Sequence, residues 1–183
     1  MASFFKLKKK ILINNYLPLP LGKFRFIHFN QINQSNFLKL VNVKRVRGYF
    51  SKSKKITRKE HDNYISNYMK KSIINFVLIE KKSKNIVGIF NLKKTKIGVE
   101  IGKYILNKNY LGKGIAKKAT INLIDFVFKR TNEKKIFAIT NVENNINLLL
   151  NTKLGFKINA VKKNFYIMEL TNVRFYNFYL KKK

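Results

Sequence analysis

The most constraining stretch of this sequence is a strand, a glycine turn and a long amphipathic helix in immediate succession, from Ile97 to Lys129. Ile97 to Ile105 (IGVEIGKYI) reads as a strand. Asn107 to Gly114 (NKNYLGKG) follows as a tight turn, bracketed at its end by Gly112 and Gly114. From Ile115 the apolar residues Ile115, Ala116, Ala119, Ile121, Leu123, Ile124, Phe126 and Val127 build one covered face of a helix. Glycine lets backbone approach a ligand closely, and a helix N-terminus aims N–H groups and partial positive charge at one point. Such a turn suits a diphosphate. By itself G-K-G is a weak signal, because many turns share it. Neither the Walker spacing nor G-x-G-x-x-G is present, so nucleotide hydrolases and dinucleotide enzymes lose support.

The flanking sequence supplies the other elements. Phe24–Phe29 reads as a strand, Asn30–Val41 as a helix, and Thr57-Arg58-Lys59-Glu60 as a capping box opening a helix to about Lys70. Ile73–Glu80 and Ile86–Leu92 form an antiparallel pair across the turn KKSKN. Ile136–Thr140 is a strand, and Asn144–Leu154 a helix stopped by Gly155. Phe156–Val161 and Phe165–Leu170 are the last strands. The order β α α β β β α β α β β predicts an α/β (α+β) domain, a mixed sheet with helices on both faces. Residues 1–20 are expected to be a basic arm outside the main pattern, 21–170 the domain, and 171–183 a basic aromatic tail.

Composition excludes several chemistries. Cys is absent, so there is no disulfide, thiolate metal site or Cys nucleophile. His28 and His61 are the only histidines, too few for a His-rich metal centre, and no metal is expected. No run of about twenty apolar residues spans a membrane, and the expected location is the cytoplasm. The formal net charge is +32. That field favours anionic partners, including non-specific contact with nucleic acid. Its lysines are spread over the whole chain rather than set in one stripe, which reads more simply as composition.

EIGKYILNKNYLGKGIAKKAT, then a strand, Asn144 and KLGF, resembles the GNAT acetyltransferase superfamily over about Lys23 to Leu170. The resemblance implies acetyl-CoA as co-substrate and no metal. Tyr104, Ile105 and Leu106 would line the pantetheine arm. Tyr110, Leu111, Gly112, Lys113, Gly114 and Ile115 would bind the pyrophosphate, with Asn144 also meeting the cofactor. The family often has a Tyr as general acid four residues before the Gly of KLGF; this chain has Asn151, leaving Tyr110 and Tyr166 as alternatives. It also usually has Gln or Arg where Asn109 stands. Glu100 lies just ahead of the turn. It is the candidate general base for the acceptor amine, against a structural ion pair with a nearby Lys.

Upstream, VKRVRGYFSKSKKITRKEHDNYI is similar to enzymes that N-acetylate a UDP-linked 4-amino sugar on the way to pseudaminic acid. That finer resemblance implies an acceptor site of Arg47, Tyr49, Phe50 and His61. Core packing is the alternative for the aromatics, and an exposed helix position for His61. The partners expected are acetyl-CoA and a small amine carried on a nucleotide-linked sugar, with a homodimer left open. A ribosomal-protein N-terminal acetyltransferase and a non-catalytic RNA-associated protein are the competing readings.

Overall fold

The computed structural model describes residues 4–14, 17–48 and 54–180. Its strands are β1 (Phe24–His28), β2 (Ile73–Glu80), β3 (Ile86–Thr95), β4 (Gly98–Ile105), β5 (Lys135–Asn141), β6 (Lys157–Lys162) and β7 (Phe165–Thr171). Its helices are α1 (Phe4–Asn14), α2 (Gln34–Val41), α3 (Lys44–Arg47), α4 (Arg58–Ser66), α5 (Ile115–Arg130), α6 (Asn145–Lys153) and α7 (Asn172–Leu180). The strands form one sheet in the order β1-β2-β3-β4-β5-β7-β6. Every neighbouring pair is antiparallel except β4–β5, which is parallel. The mixed sheet expected from the element order is the one observed.

Helices cover both faces of the sheet, each over its own apolar cluster. One cluster joins α1, α5 and α7 to Phe76, Phe90, Ile101 and Met168. The other joins α2, α3 and neighbouring Tyr64 of α4 to Val77, Ile79 and Ile89. β2 lies under both, which is why IINFVLIE reads as a continuous apolar run rather than an alternation. At the far edge, β6 is exposed along its length and carries lysines, a pattern that discourages further strand pairing.

Local chemistry sets the element ends. Thr57 Oγ1 accepts from the Glu60 N–H at 3.1 Å and Glu60 Oε2 accepts from the Thr57 N–H at 2.7 Å, the reciprocal cap read from the sequence. α4 stops at Ser66, short of Lys70, and a 3-10 turn over Tyr68–Lys70 completes the segment. Gly155 closes α6 at φ +92°.

The two termini differ from the expected arm and tail. Phe4, Leu7 and Ile11, spaced as one helix face, are buried in the main core. Lys8, one residue on, donates to the carbonyls of Tyr68 and Lys71 at 2.7 Å each. Burial and the nearby Lys71 push its ammonium down to about 8. At the other end α7 buries Phe175 against Phe128, and Tyr176 Oη donates to Asp125. In α1 the intervening lysines hid this amphipathicity.

Candidate active site

The site starts where the sheet comes apart. β4 and β5 are paired only at Val99↔Ile136 and Glu100↔Phe137. Beyond those pairs β4 continues to Ile105 beside β3, and β5 continues to Asn141 beside β7. A wedge therefore opens after Glu100, bordered by strands on both sides. The Leu106 N–H donates to Val87 of β3, so alternation along the strand turns the main-chain groups of Ile105 and Lys103 toward the wedge. The main-chain groups of Lys103 and the N–H of Ile105 are ready partners for an extended amide-bearing ligand.

The wide end of β4 leads into the glycine turn. Asn107 Oδ1 accepts from the Asn109 N–H at 3.0 Å and shapes the 3-10 turn Lys108–Tyr110. Gly112 and Gly114 follow at φ +71° and +68°, a region that side-chain-bearing residues rarely adopt. A Cβ at either position would meet no atom within 4 Å, so the space before α5 is open. Gly114 is the N-cap and has no side chain, which leaves the first-turn N–H groups of this sixteen-residue helix uncapped. Lys113, Lys117 and Lys118 surround that end, with no acidic residue in the first turn. The cradle fits a diphosphate in shape and charge.

Two residues expected to contact the cofactor are held by protein partners. Tyr110 Oη donates to Glu80 at 3.2 Å, and its ring meets Phe24 edge-on at 6.0 Å, so it fastens the turn to β1 and β2. Asn144 caps α6, its Oδ1 accepting from the Asn147 N–H at 3.0 Å. Leu111, Gly112, Lys113 and Gly114 are exposed around the cradle, while Ile115 is buried under it. Leu106 is buried; Tyr104 and Ile105 are half-buried on opposite faces of β4.

Glu100 sits at the apex of the wedge. Lys93, its cross-strand partner on β3, lies 3.8 Å away, so the alternative ion pair is present. The carboxylate also lies close enough to Tyr104 to act on it. Burial first, then Glu100, raise the Tyr104 phenol above its ordinary value, and Arg47 opposes them. Arg47, Tyr104 and Glu100 thus share one electrostatic neighbourhood on the face covered by α2, α3 and α4.

The opposite face holds a network the sequence reading missed. Lys103 Nζ donates to Asn151 Oδ1 at 2.5 Å, and Asn151 Nδ2 donates to Thr140 Oγ1 at 2.9 Å. The chain of contacts crosses the wedge from β4 through α6 to β5. Asn151 is fully buried and Thr140 almost so. Burial pushes the Lys103 ammonium down to about 7. The available signal was a lysine in register with Val99, Ile101 and Ile105, a core position for a charged residue. Arg45 was missed too: its Nη2 donates to the carbonyls of Leu106 at 2.8 Å and Ile105 at 3.1 Å, pinning the end of β4.

The expected acceptor residues are only partly brought together. Arg47 is buried, with Nε and Nη2 donating to the Lys54 carbonyl at 3.1 and 2.7 Å. His61 is not the exposed helix residue of the alternative reading. It is buried, stacks on Phe37 and shares a 3.2 Å hydrogen bond with Gln34, and burial lowers its pKa. Tyr49 and Phe50 lie outside the described residues. Among the described residues no cluster of three His, Cys, Asp or Glu could hold a metal, and no helix is long and apolar enough to cross a membrane.

Comparison with known proteins agrees with this geometry. Residues 29–157 match the family described as the acetyltransferase (GNAT) domain. No curated protein matches the chain. Among solved structures, spermidine N-acetyltransferase from Vibrio cholerae, in complex with CoA and spermine, is similar at TM-score 0.72 and 18% identity, over 85% of this chain and 99% of that one. Ribosomal-protein-S5-alanine acetyltransferase from Vibrio fischeri is similar at TM-score 0.66 and 17% identity, over 85% and 97%. FdhC, a nucleotide-linked sugar GNAT, is similar at TM-score 0.70 and 13% identity, over 91% and 96%.

Proposed function

This chain belongs to the acetyltransferase (GNAT) domain family, an acetyl-CoA-dependent N-acetyltransferase, and from that premise we propose that its acceptor is the primary amine of a UDP-linked 4-amino-4,6-dideoxy sugar. The observation that carries the acetyl-CoA part is the wedge after Glu100, continuous with the glycine cradle at the N-terminus of α5. The cradle takes the pyrophosphate, and the main-chain groups of Lys103 with the N–H of Ile105 take the amides of the pantetheine arm. The thioester then arrives at the apex, beside Glu100. Glu100 receives the proton the amine gives up, directly or through water, as its nitrogen attacks the acetyl carbon.

Two lines support the sugar acceptor. The stretch from Val43 to Ile65 resembles the nucleotide-sugar branch, and Arg47 stands in the same electrostatic neighbourhood as Glu100. Separately, a net charge of +32 repels polyamines and basic peptides and attracts a UDP-sugar. Physiological salt screens that field beyond about 8 Å, so the preference is strongest at low ionic strength. Among the similar solved structures, FdhC is a nucleotide-linked sugar GNAT.

A competition assay with acetyl-CoA and three acceptors tests the proposal: spermidine, a basic N-terminal peptide and a UDP-4-amino sugar. The UDP-sugar is expected to be acetylated first, with kcat/KM falling as salt rises. Preference for spermidine or the peptide would overturn the acceptor and leave the acetyltransferase intact.

A further inference from the structure

A lysine placed on the core face of a strand needs an explanation, because an ammonium loses hydration there. Lys103 is half-buried, and its hydrogen-bond partner is a neutral amide oxygen, Asn151 Oδ1. Among the described residues no carboxylate balances it. The groups facing it are Asn151 of α6 and, through Asn151, Thr140 of β5. α5 contributes the apolar Ile115, Ala119 and Leu123 to this core. On β7 the titratable group of the same sheet face is Tyr166, in register with Thr140. Glu100 leaves β4 on the other face. The ammonium is thus oriented by neutral partners within the wedge, three residues along β4 from Glu100.

We infer that Lys103, oriented by Asn151, is the general acid that protonates the departing thiolate of CoA. The inference rests on the acetyl-CoA reading above and deepens it. The amine nitrogen forms its bond to the acetyl carbon, and Glu100 takes the amine proton. The carbon–sulfur bond breaks, its electron pair goes to sulfur, and the Lys103 ammonium gives sulfur a proton. The neutral Lys103 amine then regains a proton from solvent and Glu100 releases one, so the sum is amine plus thioester to amide plus thiol. A donor that titrates at about 7 is well matched to this task at neutral pH. Asn151 acts here as a positioning residue.

The test needs no acceptor. CoA is bound to the wild type and to Lys103→Met, with calorimetry confirming binding, and the bound thiol is titrated by the ultraviolet absorption of its thiolate. An ammonium within contact of the sulfur lowers the thiol pKa by about 1 to 3 units. The wild-type complex is expected to form thiolate at a lower pH than the Lys103→Met complex by about that margin. Calorimetric binding of CoA with identical thiolate curves in the two proteins would overturn the inference and leave the acetyl-CoA reading standing. Failure of the wild type to bind CoA would overturn that reading, and this one with it. In turnover, Lys103→Met is expected to lower kcat about 100- to 10,000-fold with little change in KM for acetyl-CoA. Lys103→Arg keeps the charge but holds its proton at any accessible pH, so it is not expected to restore kcat. Full activity in the arginine variant would reduce Lys103 to an electrostatic role and overturn the proton transfer.

Discussion

Glu100 and Lys103 leave β4 on opposite faces at the point where β5 departs, the carboxylate beside Lys93 and the ammonium beside Asn151. One strand therefore presents a carboxylate and an ammonium to the two sides of the same wedge. The ion pair with Lys93 does not decide what Glu100 does. At 3.8 Å, with Lys93 mostly exposed, it contributes about 0–1 kcal/mol. Glu100→Gln is expected to lower kcat about 100- to 10,000-fold with the fold intact, while Lys93→Met stays near wild type. Steady-state kinetics of the two variants check this. Equal, small effects from both would make Glu100 a surface ion-pair residue.

The glycine cradle offers a substitution that separates folding from binding. A side chain at Gly114 points into open space, so it strains the backbone at φ +68° without striking the protein. That strain is of the order of 1–3 kcal/mol. Gly114→Val is expected to fold, with a lower Tm, and to lose CoA binding in calorimetry because the side chain fills the place proposed for the pyrophosphate. Wild-type affinity in this variant would remove the diphosphate from the cradle.

The architecture was legible wherever local pattern and tertiary packing agreed. β2, α5, the Thr57–Glu60 cap and the glycine turn all announced themselves through periodicity or turn chemistry. The wedge was not legible, because strand separation depends on which pairs fail to form, and β4 and β5 are joined across a helix. The side-chain partners of Tyr110 and His61 were not legible for a related reason. Their partners, Glu80 and Gln34, stand about thirty residues away in the chain. Lys103 was visible as an alternation fault in IGVEIGKYI, but its meaning required Asn151, on a helix after the next strand.

His28 sets an acid limit on the fold. Burial, then Lys8, pushes its imidazole down to about 4, and its buried Nε2 has no hydrogen-bond partner among the described residues. The unfolded chain takes up a proton near pH 6.5, while the folded state refuses it until about 4. The unfolded state therefore binds more protons in that window, and stability falls as pH drops from 6.5 toward 4. Urea unfolding between pH 6.5 and 5, largely above the carboxylate range, checks the slope. His28→Asn keeps an acceptor for the Asn30 N–H and is expected to flatten it. An unchanged slope would mean that the imidazole already protonates in the folded protein.

The N-terminal helix gives the sharpest test of the fold, because the sequence alone placed it outside the domain. Leu7 is 1% exposed and packs in the main cluster with Phe76 and Phe90, whereas Ile13 of the same helix is 67% exposed. Both are large aliphatic residues, so truncating each to alanine separates burial from helix propensity. Leu7→Ala removes core contacts and leaves a cavity, which costs about 2–5 kcal/mol. Ile13→Ala is expected to stay within about 0.5 kcal/mol of wild type. Urea denaturation of the two variants, compared at constant m-value, measures the difference directly. The Lys8 ammonium adds to the attachment by bonding the carbonyls of Tyr68 and Lys71, so Leu7→Ala loosens both the apolar face and this cap. Equal stabilities for Leu7→Ala and Ile13→Ala would show that α1 is not part of the cooperative core.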